Sequence, residues 1–157
     1  MSKCLTGEYE HRLDTKGRLI MPSKLREELG CTFMITKGLD NCLYVYPNDE
    51  WQQFADKLNQ LPMTNKSARQ FKRFFNSGAV KCETDAQGRV IIPQTLRTFA
   101  NIEKDVVIIG NGEKAEIWNK EAWDEINNEE SLNMDEIADK LDELDFRIKD
   151  RSGSYGI

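Results

Sequence analysis

The chain has one histidine, four cysteines and four prolines in 157 residues, and no run of 18 apolar residues. Without such a run a membrane-spanning helix of ordinary length is excluded. The first residues, Met1 to Glu8, show no apolar signal region, so the cytoplasm is the expected compartment. The lone histidine, His11, lies in the alternating run Tyr9–Leu13 and reads as a strand surface residue. It has no neighbour that would orient it as the base of a cysteine nucleophile. Cys4, Cys31, Cys42 and Cys82 are far apart in the chain, so the close pairs of a zinc site are missing. Cys31, Cys42 and Cys82 fall within or beside strand-like runs, where a small buried thiol is ordinary. No phosphate loop, paired catalytic carboxylates or nucleophile–base pair is visible. No catalytic residue, metal or cofactor is therefore expected.

What the chain does have is one unit written twice. Asp14-Thr-Lys-Gly-Arg-Leu-Ile-Met-Pro-Ser-Lys-Leu-Arg26 returns 71 residues later as Asp85-Ala-Gln-Gly-Arg-Val-Ile-Ile-Pro-Gln-Thr-Leu-Arg97, with 7 identities in 13 positions. Average residue usage would give on the order of one. One residue out of step, Gly38 then meets Gly110, Val45-Tyr46 meets Ile117-Trp118 and Trp51 meets Trp123. Each copy thus spans about 45 residues, too few to bury much core alone. Two copies with exposed apolar faces are most simply halves of one pseudo-symmetric domain or partners in an assembly.

The local chemistry of each copy is legible. Asp, two free positions and Gly is the pattern of a type I turn closed by a left-handed glycine, joining two antiparallel strands as a hairpin. Asp14 and Asp85 would accept backbone hydrogen bonds, and Gly17 and Gly88 would take the positive φ. Lys16 and Gln87 then stand at the tips, and Arg18 and Arg89 open the return strands Arg18–Met21 and Arg89–Ile92. A short helix follows, with Pro22 or Pro93 in its first turn, Leu25 or Leu96 inward, and Gly30 as C-cap in the first copy. Strands are expected at 32–36 and 42–46, and again at 106–109 and 115–118. The unit is β-β-α-β-β, and the class is α+β.

Two helices separate the copies. One runs from about Asn48 to Leu61 with Trp51, Phe54, Ala55 and Leu58 at helical spacing, and Pro62 stops it. The other runs from about Asn65 to Asn76, with Phe71, Phe74 and Phe75 as core and Lys66, Arg69, Lys72 and Arg73 around the opposite side. Those cations are open to two readings, a solvated face or a phosphate contact.

The end of the chain differs in kind. Residues 119–157 hold 12 acidic and 5 basic side chains, a net of −7, so the repeat region before them carries +2 within a total of −5. The overall acidity therefore conceals the charge of the repeats. From Ser131 to Phe146, Met134, Ile137, Leu141 and Leu144 form the stripe of an amphipathic helix, which more simply docks on its own domain than pairs as a coiled coil. Arg151 to Ile157 reads as a frayed end. The expected organisation is a first repeat at 5–51, a helical connector at 52–77, a second repeat at 78–123 and an acidic C-terminal helix and tail at 124–157.

Gly7-Glu8-Tyr9-Glu10-His11, then Asp14-x-Lys16-Gly17-Arg18-Leu19-Ile20-x-Pro22, Gly38-Leu39-Asp40-x-Cys42-Leu43-x-Val45-Tyr46-Pro47 and the second Asp85-x-x-Gly88-Arg89 together resemble the MraZ family. These are bacterial transcriptional regulators of the cell-division and cell-wall gene cluster. The resemblance covers about Leu5 to Phe146. It implies that each copy is an AbrB-like swapped-hairpin unit, and that two copies intertwine into one pseudo-twofold barrel. It further implies rings of roughly eight to twelve subunits that bind short direct repeats in double-stranded promoter DNA, including that of the chain's own gene, with repression as the expected sign. A nucleoid-associated cytoplasmic protein follows. The family's Asp-x-x-x-Arg signature falls on Asp14, Arg18, Asp85 and Arg89.

On that picture Arg12, Lys16, Arg18, Gln87 and Arg89 are the expected DNA-binding residues, with Asp14, Gly17, Asp85 and Gly88 shaping the turns. Arg18 would offer a fork to a guanine edge or a phosphate, Lys16 a point charge, and Arg12 a third cation from the strand paired with it. Asp14 reads as the residue that aims Arg18 rather than as a base reader. Lys16 in the first copy becomes Gln87 in the second, so the two turns are expected to contribute unequally. Arg26 and Arg97 are expected to pair with nearby acids. An oligomeric protein-interaction scaffold without DNA binding also fits the near-neutral repeat region and acidic tail; an enzyme fits less well.

Overall fold

The computed structural model describes residues 4–128 and 132–144. Its first compact unit, through Lys120, contains eight strands: β1 (Glu8–Arg12), β2 (Arg18–Ile20), β3 (Thr32–Lys37), β4 (Leu43–Pro47), β5 (Val80–Glu83), β6 (Arg89–Ile91), β7 (Asp105–Asn111) and β8 (Lys114–Asn119). Helices α1 (Ser23–Leu29), α2 (Asn48–Asn59), α3 (Lys66–Gly78) and α4 (Gln94–Phe99) lie between them. The β-β-α-β-β order is present in both copies. Pro22 and Pro93 stand one residue before the helices they introduce, as N-caps, and their carbonyls accept the first helical N–H groups. Asn65 caps α3 by accepting the Ala68 N–H at 2.9 Å.

The expected local hairpin between the first two strands of each copy does not form. β1 pairs antiparallel with β7 of the second copy, and β5 pairs with β3 of the first. Likewise β2 pairs with β6, and β4 with β8. Every first strand is thus exchanged between copies. The turn at Asp14–Gly17 is as expected, but it turns the chain out of one sheet and into another. The result is a six-stranded sheet in the order β1-β7-β8-β4-β3-β5 and a two-stranded ribbon, β2-β6. The single closed barrel implied by the resemblance is not seen.

Period-two alternation explains the layers. On one face of the large sheet Phe33, Ile35, Leu43, Val45, Val106, Ile108 and Ile117 join Leu19 and Met21, Val90 and Ile92, and Leu25 and Leu96 of α1 and α4 in one core. On the other face Thr36, Tyr44 and Tyr46 meet α2 and α3: the Thr36 hydroxyl donates to the Phe75 carbonyl at 2.7 Å, and Tyr46 stacks on Phe54 at 5.4 Å. Phe75 is buried as expected, whereas Phe71 is 42% exposed. Of the three cysteines read as buried, Cys42 and Cys82 are, and Cys31 is exposed because it lies in the connection just before β3. Burial pushes the Cys82 thiol up to about 11.

The second unit, from Glu121, holds all but the first residue of α5 (Lys120–Ile126), together with α6 (Met134–Leu141) and a short 3-10 turn at Asp142–Leu144. Asn133 caps α6 by accepting N–H groups of Asp135 and Glu136. Of the expected amphipathic helix, Ser131 and Phe146 lie outside the described residues, as does the expected frayed end, Arg151 to Ile157.

Because each copy's first strand is completed only by the other copy, residues 4–78 expressed alone are expected to be either unfolded or a strand-exchanged dimer. Circular dichroism with sedimentation checks this, and a folded monomer would contradict the exchange.

Candidate nucleic-acid interface

In each turn one carboxylate organises the loop. Asp14 Oδ1 accepts the backbone N–H groups of Lys16 and Arg18, both at 2.9 Å, and Oδ2 accepts the Arg18 guanidinium Nε at 2.6 Å. Asp85 does the same for Gln87, Arg89 and the Arg89 guanidinium, at 2.9, 2.9 and 2.8 Å. With three donors each, these carboxylates are committed to the loop. Each arginine spends Nε on its aspartate and keeps both Nη groups, four N–H donors in a fixed plane. The side chains of Arg18 and Arg89 remain 26% and 30% exposed.

Gly17 and Gly88 take φ of 76° and 77°, where a side chain is strained. They also make room. A Cβ at Gly17 would lie 2.9 Å from Arg97 Cζ, and one at Gly88 would overlap Arg26 Nη1. The expected acid partners of Arg26 and Arg97 are therefore absent: neither forms an ion pair among the described residues, and each guanidinium packs instead on the glycine of the other copy's turn. Arg97 Nε donates to the Ile92 carbonyl at 2.9 Å, while Arg26 Nε is buried with no hydrogen-bond partner among the described residues. Their repetition at one distance from the glycines was the sequence signal for a shared role.

The turns bracket the ribbon. Ile92 N–H donates to the Gly17 carbonyl at 3.0 Å and Met21 N–H to the Gly88 carbonyl at 2.9 Å, extending the ladder at both ends. Lys16 and Gln87, both exposed, consequently stand just beyond opposite ends of the ribbon. Leu19 faces Val90 across the ladder, and both are buried. By alternation Arg18 and Ile20 with Arg89 and Ile91 form the outer face. Arg18 is opposite Ile91 and Arg89 opposite Ile20, so the two arginines are diagonal neighbours, roughly 7 Å apart. A cleft of about 420 Å³ touches both arginines and runs beside β5 and β6.

Arg12 is not part of this face. Its strand pairs with β7 rather than β2, and its guanidinium Nε meets Asp105 Oδ1 at 2.9 Å, the same single Nε contact that Arg18 and Arg89 make. Lys66, Arg69, Lys72 and Arg73 belong to α3, which packs on the face of the large sheet away from the ribbon; Arg69 Nη1 donates to the Met63 carbonyl at 2.8 Å.

Comparison with known proteins agrees with the doubling. The sequence profile of the family described as "MraZ protein, putative antitoxin-like" matches the chain twice, over residues 4–74 and 75–145. The chain is 55% identical over 142 residues to a protein named transcriptional regulator MraZ of Thermoanaerobacter sp. (strain X514), covering 90% of this chain and 99% of that one. It is 56% identical over 138 residues to proteins of the same name from Alkaliphilus oremlandii and Clostridium beijerinckii, covering 88% of this chain and 96% of each.

The turn carboxylates give the fold an acid dependence. Backbone N–H donation from Arg18, foremost, then its guanidinium and the Lys16 N–H, hold Asp14 below the ordinary carboxylate range, and Asp85 is lowered in the same way by Arg89 and Gln87. A folded pKa below the unfolded one means that the stabilisation is present above about pH 3.9, the unfolded value, and is lost as pH falls through the folded values. Asp14→Asn with Asp85→Asn should therefore flatten the fall in melting temperature below about pH 4. Thermal melts from pH 7 to pH 2 read it; parallel curves for the variant and the parent chain would refute it.

Proposed function

The chain belongs to the MraZ family, and from that premise we propose that it is a transcriptional regulator that binds double-stranded promoter DNA with the outer face of β2-β6. The observation that carries this reading is the pair of aspartate-held arginines, Arg18 and Arg89, on one face of a two-stranded ribbon. A major groove about 12 Å wide admits such a ribbon, and an arginine fork with two free Nη groups matches the O6 and N7 acceptors of guanine. The roughly 7 Å diagonal between the two arginines corresponds to about two base-pair steps of 3.4 Å.

Lys16 and Gln87, at the ends of the ribbon, are suited to the flanking phosphates, one as a charge and the other only as a neutral donor. Asp14, Gly17, Asp85 and Gly88 shape the turns, and Arg12 adds a further cation from the strand outside the ribbon. The exchange of first strands between copies supports the swapped-hairpin reading of the repeats. The half-units at 5–51 and 78–123 would hold the reading face, with 52–77 as connector and 124–157 as an acidic appendage that disfavours wrapping by DNA.

One subunit offers few phosphate contacts. The function therefore requires a homo-oligomer, a ring of roughly eight to twelve subunits, in which identical faces meet direct repeats by effective concentration. Repression of a promoter in the cell-division and cell-wall cluster, including the chain's own, is the regulatory role that goes with it, in the cytoplasm at the nucleoid.

Light scattering at micromolar concentration should give a mass many times the 18.1 kDa of the chain; a mass near one chain would remove the avidity on which this reading depends. Arg18→Ala should abolish most binding to a duplex with at least two repeats, and Arg89→Ala should weaken it less. Each arginine is expected to be worth about 1–3 kcal/mol per base read, or about one unit of salt slope if it touches only phosphate. Equal, small losses in affinity-against-salt titrations would move the interface to the basic helix α3.

A further inference from the structure

We propose that Ile20 and Ile91 read thymine, each by packing against the C5-methyl of a base next to one engaged by Arg18 or Arg89. The inference rests on the DNA-binding reading above and adds a second kind of base contact to it. In a ribbon with one face on the core, the outer face ordinarily carries polar residues. Here the inward residues are Leu19 and Val90, fully buried, and the outward positions of both copies hold isoleucine, 49% and 61% exposed. The tip residue changes from Lys16 to Gln87 between copies while this aliphatic position does not.

The register gives each isoleucine a neighbour. Ile91 lies across the ladder from Arg18 and Ile20 across from Arg89, separations of roughly 5 Å, between one and two base-pair steps. A guanidinium aimed at a guanine would therefore bring its isoleucine over the adjoining base pair. In the major groove only thymine presents a methyl group, and an aliphatic side chain has nothing to offer a phosphate or a polar base edge.

The same neighbours argue against an apolar protein surface as the occupant. Covering the isoleucines would also bury two guanidiniums whose Nη groups have no partner among the described residues, a costly desolvation. Polyanionic DNA satisfies both halves of the face. Because the ladder has a local twofold axis at Leu19–Val90, the preferred site should carry a guanine–thymine step for each half.

The test starts from a duplex selected by the protein out of a random-sequence pool. Thymines in the selected duplex are replaced singly by deoxyuridine, which removes only the methyl, and affinity is measured for the parent protein, Ile20→Ala and Ile91→Ala. The parent should lose roughly three- to fivefold for each thymine contacted, the size expected for one buried methyl. Each variant should lose nothing further at the thymine its own isoleucine contacts, while remaining sensitive at the other. Deoxyuridine without effect on the parent, or with equal effect on parent and variants, overturns the proposal while leaving the DNA-binding reading intact. A fall in the mass of either variant by light scattering overturns it in favour of a subunit contact. Failure to select any sequence overturns the DNA-binding reading itself, and this proposal with it.

Discussion

When β2 hydrogen-bonds to β6, each three-residue strand obtains from the other copy the partner that its own turn does not provide. A two-stranded ribbon this short has no stability in water by itself. It persists because Leu19 and Val90, at its centre, insert into the apolar face of the six-stranded sheet. The same exchange sends β1 to β7 and β5 to β3. Removing it would strand both first strands and expose the faces of both short helices, α1 and α4. Neither copy is a small domain that happens to be duplicated. Each is half of one core, which accounts for how two 45-residue units bury apolar side chains that neither could cover alone.

The ribbon also explains how charge is displayed at modest cost. Long arginine side chains on an exposed surface sample many rotamers, and ordering them on a ligand costs free energy. Asp14 and Asp85 remove part of that cost in advance by holding Nε while leaving the Nη groups available. Each aspartate is itself held by two backbone N–H groups of the turn, so the carboxylate is anchored before it orients the guanidinium. Arg26 and Arg97 extend the same logic across the copies: each rests on the glycine of the opposite turn, so the two ends of the face are tied into the core that carries them.

Much of this was legible in the chain. Turns at Asp14–Gly17 and Asp85–Gly88, the short helices after Pro22 and Pro93, and the amphipathic helices α2 and α3 depend on residue types within a few positions of one another. Such short-range constraints act before any tertiary contact. The arginines of the turn and their aspartates were also legible, because an i, i+4 pair around a tight turn can hardly avoid meeting. Cys31 and Phe71 were misjudged, since apolar character alone does not say which members of a run the core has room for.

What the sequence determined by itself, then, was the inventory: two copies, their turns, their helices and the pairs Asp14–Arg18 and Asp85–Arg89. What only the tertiary structure decided was partnership. A strand's ladder edge is the same whichever strand approaches it, so Tyr9–Arg12 could have paired locally with β2 and instead pairs with β7; that choice removed Arg12 from the face and gave it Asp105. Arg26 and Arg97 carry no local sign that a glycine some 60 or 80 residues away will receive them. The outward pair Ile20 and Ile91 likewise acquired its arginine neighbours only through cross-copy register. Backbone hydrogen bonding is indifferent to side-chain identity, and the shared core, which neither copy can close alone, selects the pairing that buries Leu19 against Val90.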